Sequence, residues 1–355
     1  MLKQFLKAGL IQVAKRIPYQ SKMNLSDARK ILQNWSPLPQ GTCYTNNQIA
    51  LAYDLQIIVP AYNVEHYIED SVLSVCQQNT QYQVLLTVID DGSTDGTLAC
   101  LHKLQEQQKT SKNITLEVLT QENNGASSAR NAGLKEIKGT YLAFFDADDV
   151  LPENAIEYMM TEAHRTDADI LQGSWYSFSD KKSREDCVSE DLSGYPWGKL
   201  YKYTVLKNFC FPIGYWFEDT PISYILAALP FTHVTTSEVI YGYRQNEEGL
   251  TAKATKGKKP VDSYWITETC LKEFPLFGVS YDQRAYQYLL QQSVMTARRI
   301  RKQPRQIREA VFVLTRGLMQ QYFNEYSTED SRLAELESAL KNNEFIKFEW
   351  LVKDF

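Results

Sequence analysis

The stretch Tyr141-Leu142-Ala143-Phe144-Phe145-Asp146-Ala147-Asp148-Asp149 decides the fold of this chain. Five apolar residues run directly into carboxylates, a pattern typical of a buried strand that ends at a ligand-binding edge. Three similar apolar runs precede it, and each leads into a polar turn and a helical pattern. These runs are Leu55–Val59, Val84–Ile89 and Ile114–Leu119. The alternation predicts right-handed βαβ units, and hence an α/β, Rossmann-like, mostly parallel sheet with helices on both faces.

Polar side chains follow each of the four predicted strands. Ligands of such sheets bind beyond the carboxyl ends of the strands, so these side chains are candidates for a functional site. Like charges at one rim cost free energy unless a cation or hydrogen-bond donors offset them, and Arg130 is a candidate for that role. The polar residues are Tyr62, Asn63 and Glu65 after the first strand, Asp90 and Asp91 at the end of the second, Asn123 and Asn124 after the third, and Asp146, Asp148 and Asp149 after the fourth.

Asp146 and Asp148 form a short acidic pair that is a candidate metal site. Hard oxygen ligands at this spacing suit Mg²⁺ or Mn²⁺, with phosphate oxygens completing the coordination. A solvated turn in which Asp148 or Asp149 caps a helix explains the same residues without a metal. The local sequence leaves both interpretations open.

A second group of candidate residues lies farther along the chain. Lys199 follows a Trp-Gly pair, and Arg244 carries a guanidinium that can bind a diphosphate. Glu218 and Asp219 lie at the predicted start of a helix, where they either cap the helix or act in catalysis. In this region we predict strands at Ile170–Tyr176 and His233–Tyr243, and helices at Gly198–Asn208 and Glu218–Leu229.

Composition narrows the class of protein. The 355 residues are 43% hydrophobic and 23% charged, as in ordinary globular domains, and the net charge of −5 argues against a nucleic-acid partner. No apolar run approaches the roughly 20 residues that span a bilayer. Six scattered cysteines and the lack of a secretory signal predict a reduced, cytoplasmic chain. The dinucleotide, phosphate-loop, zinc-protease and serine-hydrolase motifs are all missing, so we expect none of those activities.

The two ends of the chain differ from the α/β part. Met1–Ile17 predicts a basic amphipathic helix, which either lies on an anionic membrane surface or packs on the protein. Beyond Pro260 the patterns are helical to the end. The basic segment Arg298–Arg308 is either a solvated helix face or a contact for lipid phosphates. We therefore predict an N-terminal extension over residues 1–50, an α/β domain over 51–260 and a helical accessory domain over 261–355.

Four motifs, in this order, resemble the family 2 glycosyltransferases of GT-A fold. The resemblance covers about residues 55 to 250 and leaves out the first fifty residues and the helical end. The motifs are Ile57-Ile58-Val59-Pro60-Ala61-Tyr62-Asn63, Val88-Ile89-Asp90-Asp91-Gly92-Ser93-Thr94-Asp95, Asn124-Gly125 with Ala129-Arg130-Asn131-x-Gly133, and Phe145-Asp146-Ala147-Asp148-Asp149.

The resemblance implies an inverting transfer of a sugar from a UDP-sugar to a hydroxyl of a glycan or lipid-linked acceptor, in cell-surface polysaccharide synthesis. It also implies a Mn²⁺ or Mg²⁺ ion, with Asp148 as its ligand and Asp219 as catalytic base. Further residues are implied in binding the nucleotide-sugar. Pro60, Tyr62 and Asp91 match base-binding positions, Asp90 and Arg130 support that pocket, Asp146 matches the ribose contact, and Asn124, Lys199 and Arg244 complete the set.

Two other classes of function stay open at this point. A nucleotidyltransferase shares a related sheet, but its glycine-rich basic loop is replaced here by Pro60-Ala61-Tyr62-Asn63-Val64-Glu65. A non-catalytic scaffold on a membrane would use Met1–Ile17 and Arg298–Arg308 instead. Release of UDP from UDP-sugars separates the enzyme from the scaffold.

Overall fold

The computed structural model describes residues 20–107, 113–179, 182–188, 192–246 and 257–355. The predicted helix at Met1–Ile17 lies outside the described residues. Within them, no helix is both long enough and apolar enough to cross a bilayer. The described residues form two compact units.

The larger unit, here called the α/β unit, comprises the described residues of 40–214 and 218–246. Four parallel strands form its first half and confirm the four predicted strands. Each is longer than its apolar run, because pairing with a neighbouring strand continues past the hydrophobic residues. The strands are β1 (Gln48–Ala61), β2 (Val84–Asp90), β3 (Ile114–Thr120) and β4 (Glu136–Phe144). All seven residues of β2 are buried, as expected for a strand that helices cover on both faces.

The remaining strands complete a mixed sheet. They are β5 (Ile170–Ser179), β6 (Lys182–Cys187), β7 (Lys199–Lys202) and β8 (His233–Arg244). The order of the strands in the sheet is β3-β2-β1-β4-β7-β5-β6, with β8 paired to β5. β1–β4 are mutually parallel and β8 is parallel to β5, whereas β7 and β6 run antiparallel to their neighbours.

The predicted helix at Gly198–Asn208 is wrong over its first half. Lys199–Lys202 forms β7, which lies between β4 and β5 in the sheet, and the helix that follows is only Tyr203–Leu206. Four residues are too few for a hydrophobic period to separate strand from helix. The two neighbouring strands decide the conformation, because each offers hydrogen bonds to this short segment.

The helices of the α/β unit connect the strands. α4 (Ala126–Leu134) packs closely against the sheet because Gly133 has no side chain: a Cβ atom there would lie 2.6 Å from Cγ2 of Ile58 on β1. This close packing places the start of α4 at the edge where β1 and β2 end. The helices, numbered along the whole chain, are α2 (Ile68–Cys76), α3 (Thr97–Gln107), α4 (Ala126–Leu134), α5 (Ala155–Thr166), α6 (Tyr203–Leu206) and α7 (Thr220–Tyr224).

The smaller unit, here called the helical unit, comprises the described residues of 1–39, Tyr215–Phe217 and 257–355. Its core includes Trp265 and Leu32, neither of which has exposed surface. The predicted domain limits at residues 50 and 260 stay predictions. The helix α1 (Leu25–Trp35) and the three residues Tyr215–Phe217 belong to the same unit as the C-terminal helices. The helices are α1 (Leu25–Trp35), α8 (Asp262–Phe277), α9 (Gln283–Arg299), α10 (Arg305–Tyr322), α11 (Ser331–Lys341) and α12 (Phe345–Leu351).

Candidate active site

The carboxyl ends of β1, β2 and β4 bring the predicted site residues to one edge of the sheet. In the register, Ala61 on β1 pairs with Asp90 on β2, and Ile58 pairs with Phe144 on β4. The residues that follow these pairs therefore share the rim. Pro60 is half-buried there and Tyr62 is 47% exposed, so the Tyr62 ring offers an open apolar face.

Asp91 organises the loop between β3 and α4. Its carboxylate is buried, and Oδ1 accepts hydrogen bonds from the Asn124 N–H at 3.0 Å and from Gln121 Nε2 at 2.7 Å. Oδ2 accepts a hydrogen bond from the Gly125 N–H at 2.8 Å. Gly125 has a φ of +85°, which glycine adopts without strain, so its N–H can point at the carboxylate. Asp91 thus holds the start of α4 against the end of β2.

Asp90, next to Asp91 in the chain, has a different hydrogen-bonding environment. Its Oδ2 accepts a hydrogen bond from the Ser93 N–H at 3.2 Å. Its Oδ1 is buried and has no hydrogen-bond partner among the described residues. A buried carboxylate oxygen of this kind costs free energy until a donor reaches it. Oδ1 of Asp90 is therefore a candidate acceptor for a hydrogen-bond donor on a ligand.

Arg130 on α4 joins two acidic parts of the chain. Its side chain is 7% exposed, and its two terminal nitrogens lie 3.0 Å from Asp146 Oδ1 and 3.0 Å from Glu218 Oε1. Both carboxylates raise the pKa of the guanidinium against the opposing effect of burial, so it stays charged. Arg130 therefore ties the Asp146 rim to the segment that begins at Glu218.

Asp149 ties the end of β4 to β8. It is fully buried, its Oδ2 accepts a hydrogen bond from the Tyr241 hydroxyl at 2.5 Å, and its Oδ1 accepts one from the Arg244 N–H at 2.7 Å. Burial, with the charges of Asp146 and Asp148 adding to it, raises the pKa of Asp149 well above its usual range. The Asp146 N–H in turn donates to the Tyr241 hydroxyl at 3.2 Å. This network sets the shape of the acidic turn.

Asp148 is half-buried at the same turn. Its Oδ2 lies 3.3 Å from Asn246 Nδ2, which donates to it. Burial first, and then the negative charge of Asp146, raise the pKa of the Asp148 carboxyl. Arg244 reaches the backbone here, because its Nε donates to the Asp148 carbonyl at 2.7 Å. The guanidinium of Arg244 also lies 4.7 Å from the Phe178 ring centroid, which fixes its plane.

Asp219 immediately precedes α7 and occupies the capping position, but its side chain makes no capping hydrogen bond to that helix. Its carboxylate is half-buried, and its charge acts on the buried groups of Lys199 and Tyr201. The capping role that the sequence left open is therefore not realised. Asp219 and its neighbour Glu218 belong to the α/β unit, in which Arg130 connects Glu218 to Asp146.

The family model for Glycosyl transferase family 2 matches residues 56–217. This part of the chain is a family 2 glycosyltransferase domain. Of curated proteins, glycosyltransferase GlyA of Streptococcus pneumoniae is 28% identical over 222 residues, which cover 55% of this chain and 31% of GlyA. The teichuronic acid biosynthesis glycosyltransferase TuaG of Bacillus subtilis, itself a putative assignment, is 35% identical over 133 residues, or 36% of this chain and 44% of TuaG. The matched part thus spans less than half of either relative.

A solved structure shows the fold of the glycosyltransferase domain to be GT-A. TarS 1–349 of S. aureus, in complex with UDP-GlcNAc, has a TM-score of 0.61 to this chain at 17% identity. The superposition covers 85% of this chain and 91% of the TarS chain. The α/β class, the mostly parallel sheet and the C-terminal helical region predicted from the sequence are therefore confirmed, as is the resemblance to the family.

Lys199 of the glycosyltransferase domain is buried inside the protein. Its ammonium group donates to Ser193 Oγ at 2.7 Å, to the Tyr195 carbonyl at 2.5 Å and to the Trp197 carbonyl at 3.5 Å. Its place in nucleotide-sugar binding stays a prediction. The observed contacts make it a positioning residue that holds the loop from Ser193 to Trp197. The Trp197 ring stacks on Tyr241 at 4.6 Å between centroids, which joins this loop to the Asp149 network.

Burial of Lys199 predicts a pH dependence of stability. Burial lowers the pKa of Lys199 to about 7 from its ordinary 10.5, and the charge of Asp219 opposes that shift. Between about pH 7 and pH 10 the unfolded chain therefore binds more protons than the folded chain, so this group makes the free energy of unfolding rise with pH. In Lys199→Met this contribution disappears, so the slope of the unfolding free energy against pH falls by up to ~1.4 kcal/mol per pH unit. Urea unfolding at pH 7, 8 and 9 measures the difference.

Lys202→Met is the matched control, because Lys202 lies on the same strand but its ammonium is paired with Asp167 at 3.1 Å and its pKa is raised. We expect its unfolding free energy to follow the wild-type slope with pH over this range. Parallel slopes for wild type and Lys199→Met would contradict a lowered pKa at Lys199.

The site residues that the sequence singled out keep their predicted roles as predictions, and the structure adds residues that the sequence did not. From the sequence, Asp149 is only a candidate helix cap, and the structure places it instead in a buried hydrogen-bond network. Asn246 and Tyr241 have no predicted role, and no local pattern marks them, because they reach the turn from β8 and the residues after it.

The segment before Glu218 is anchored in the helical unit. The Tyr215 hydroxyl is hydrogen-bonded to Thr269 Oγ1 at 2.7 Å, and the Trp216 N–H donates to Asp262 Oδ2 at 3.2 Å. The Arg299 guanidinium lies 3.7 Å from the centroid of the Phe217 ring. Three consecutive residues directly before Glu218 and Asp219 are therefore fixed by helical-unit side chains.

Proposed function

We propose that the domain transfers a sugar from a UDP-sugar to an acceptor hydroxyl with inversion at the anomeric carbon. One observation carries the proposal: Arg130 joins Asp146, at the end of β4, to Glu218, the neighbour of Asp219. This brings the predicted donor-side carboxylates and the predicted base into one part of the same unit. A single displacement needs both, one set for the leaving nucleotide and one group for the incoming alcohol.

Asp219 is proposed as the base of this displacement. Positive charge grows on the sugar carbon as the bond to the diphosphate breaks, as in glycoside hydrolysis. A carboxylate that accepts the proton of the attacking hydroxyl makes that oxygen a better nucleophile. Since one displacement occurs, an α-linked donor gives a β-linked product. Asp219 suits this role because its side chain is half-buried and does not cap α7.

The nucleotide is proposed to lie along the strand ends. The 47% exposed ring of Tyr62 can stack on the uracil, with Pro60 beside it. Asp91 holds the loop between β3 and α4 through the Asn124 N–H. The buried Oδ1 of Asp90 can accept a hydrogen bond from the nucleotide. Arg244, whose plane is fixed by Phe178, supplies a positive charge for the phosphates.

Asp148 is the proposed ligand of a Mn²⁺ or Mg²⁺ ion. Among the residues that the structure describes, no three His, Cys, Asp or Glu side chains converge on a metal site. Phosphate oxygens of the donor are the proposed further ligands. The carboxylate fits a cation, because burial and the charge of Asp146 raise its pKa and a nearby positive charge would offset both effects. When bound, such an ion stabilises negative charge on the departing diphosphate.

The acceptor is proposed to be a glycan or a lipid-linked glycan of a cell-surface polysaccharide. Support comes from TuaG, whose name places it in teichuronic acid biosynthesis and which shares 35% identity with this domain.

Release of UDP tests this function. The purified full chain is incubated with Mn²⁺, a panel of UDP-sugars and a lipid-linked acceptor extract, and free UDP is measured. We expect release from one donor, its loss on chelation with EDTA and its recovery when Mn²⁺ is restored. Mass spectrometry of the extract then identifies the product and the sugar.

Three outcomes contradict parts of the proposal. Release of UDP that persists in EDTA would exclude a metal requirement. Release of GDP from GDP-mannose, added as a further donor, without UDP release from any UDP-sugar would exclude uridine as the nucleotide. Tight UDP binding with no turnover of any donor favours the scaffold over the enzyme. Chain inactivated by heat is the blank for spontaneous hydrolysis of the donors.

A further inference from the structure

A groove of about 510 Å³ lies in the helical unit, between the C-terminal half of α9 and the start of α11. Its volume falls within the range of small-molecule sites. Its lining lies wholly in the helical unit, and none of the residues proposed for glycosyl transfer contributes to it. Its chemistry is therefore independent of the proposed function.

The charged lining of this groove is mainly positive. It contains four arginines and one aspartate. The aspartate, Asp330, forms an ion pair with Arg332, whose terminal nitrogen lies 2.8 Å from Asp330 Oδ2. Arg299 lies against the Phe217 ring. Arg298 and Arg301 are both exposed, and Arg298 Nη1 lies 3.3 Å from the Phe355 carbonyl. The rim therefore presents two exposed guanidiniums, and the planar fork of a guanidinium suits a phosphate.

The rest of the groove is apolar. Val294 and Leu333 are buried at its base, whereas Met295 is 43% exposed and Phe355 is 41% exposed. Large apolar side chains with this much exposure, placed together and bordered by arginines, are typical of surfaces that bind a partner. Methionine adapts its shape to a flexible ligand.

The combination identifies the chemistry of the occupant. A free phosphate or a phosphodiester polymer would use the arginines and leave the apolar base in water. An uncharged lipid would cover the base and leave the guanidiniums without a counterion. A molecule with an anionic phosphate and a hydrocarbon chain matches both parts at once.

We propose that this groove binds one anionic phospholipid molecule. Its phosphate lies at Arg298 and Arg301, and the first part of its hydrocarbon chain covers Met295, Leu333 and Phe355.

A soluble short-chain lipid tests the site without a membrane. The full chain is titrated by calorimetry with dihexanoyl phosphatidylglycerol, below the concentration at which it forms micelles. We expect saturable binding of one lipid per chain. Dihexanoyl phosphatidylcholine, which has no net charge, and glycerol 3-phosphate, which has no hydrocarbon chain, should each bind at least tenfold more weakly.

Two variants and one control locate the binding. Arg298→Gln combined with Arg301→Gln should weaken binding at least tenfold, and Met295→Gln should weaken it without changing the preference for the charged lipid. Lys103→Gln, which removes a mostly exposed charge from α3 in the other unit, is the control and should bind as wild type. All four positions are exposed, and thermal unfolding checks that each variant is folded.

Several results would overturn the proposal. Equal affinity for glycerol 3-phosphate makes the groove a plain anion site, and equal affinity for phosphatidylcholine makes it a plain apolar one. Tighter binding of glycerophosphoglycerol, a phosphodiester without hydrocarbon chains, assigns it to a polymer. Unchanged affinity in the arginine variant places the lipid elsewhere on the chain, for example at the predicted helix of residues 1–17.

Discussion

Asp219→Asn is expected to lower turnover by about 10²–10⁴-fold, the usual effect of losing a general base. Asparagine keeps the size of the side chain but cannot accept a proton from the attacking hydroxyl. The affinity for UDP should stay within about twofold of wild type, because base, ribose and phosphate contacts are assigned to other residues. Initial rates of UDP release with saturating donor and acceptor measure the first effect, and calorimetry with UDP measures the second.

Asp167→Asn is the matched control for this substitution. The Asp167 side chain is 89% exposed, and its φ of +48° is one that asparagine tolerates. This variant should turn over as wild type does. Wild-type turnover in Asp219→Asn would remove Asp219 from the mechanism, and a loss of UDP affinity equal to the loss of rate would make it a donor-binding residue instead.

Arg130→Met is expected to destabilise the protein by about 3–5 kcal/mol, the cost of removing one partner from a buried ion-pair network. The substitution leaves Asp146 and Glu218 without the guanidinium that lies 3.0 Å from each of them. Methionine fills much of the same volume, so the expected effect comes mainly from charge rather than from a cavity. Urea unfolding at neutral pH measures the free-energy difference.

The same substitution separates a structural role of Arg130 from a functional one. Turnover per folded molecule should fall as well, because Arg130 connects the Asp146 rim to the Glu218–Asp219 segment. Arg165→Met on α5 is the control: Arg165 also pairs with a glutamate, but its side chain is 67% exposed, and the expected cost is much smaller because solvent screens an exposed pair. Equal costs for the two variants would mean that the Arg130 network contributes no more than a surface pair.

The two predictions depend on one arrangement of charge. Asp146, Asp148 and Asp149 follow one another closely at the end of β4, and their repulsion must be offset. Arg130 does this for Asp146, and the hydrogen bonds of Tyr241 and of the Arg244 N–H do it for Asp149. Asp148, whose pKa is raised, is the carboxylate for which a bound cation would complete the balance.

The ends of the four strands could be predicted from the sequence because a run of hydrophobic residues indicates a buried strand. The runs ending at Val59, Ile89, Leu119 and Phe145 lie within or next to β1–β4. Sequence reasoning placed a helix over Lys199–Lys202, because a four-residue strand carries too little periodicity to be distinguished. Only the hydrogen bonds offered by β4 and β5 decide that segment.

The hydrogen-bond partners of individual polar residues were harder to predict. Asp91 is recognisable as a strand-end carboxylate, but its hydrogen bonds to the Asn124 and Gly125 amides depend on where the next loop passes. Lys199 follows a Trp-Gly pair, and nothing in the sequence shows that its ammonium is buried and donates to Ser193 and two carbonyls.

The sequence by itself therefore determined the class of fold, the edge of the sheet that carries the candidate site residues and the residue types available there, because buried strands and helices repeat hydrophobic residues at characteristic spacings. Only the tertiary structure decided which charges meet. Arg130 pairs with residues 16 and 88 positions away, and Tyr241 reaches Asp149 across 92. Such pairings depend on distances in space, which no local pattern encodes.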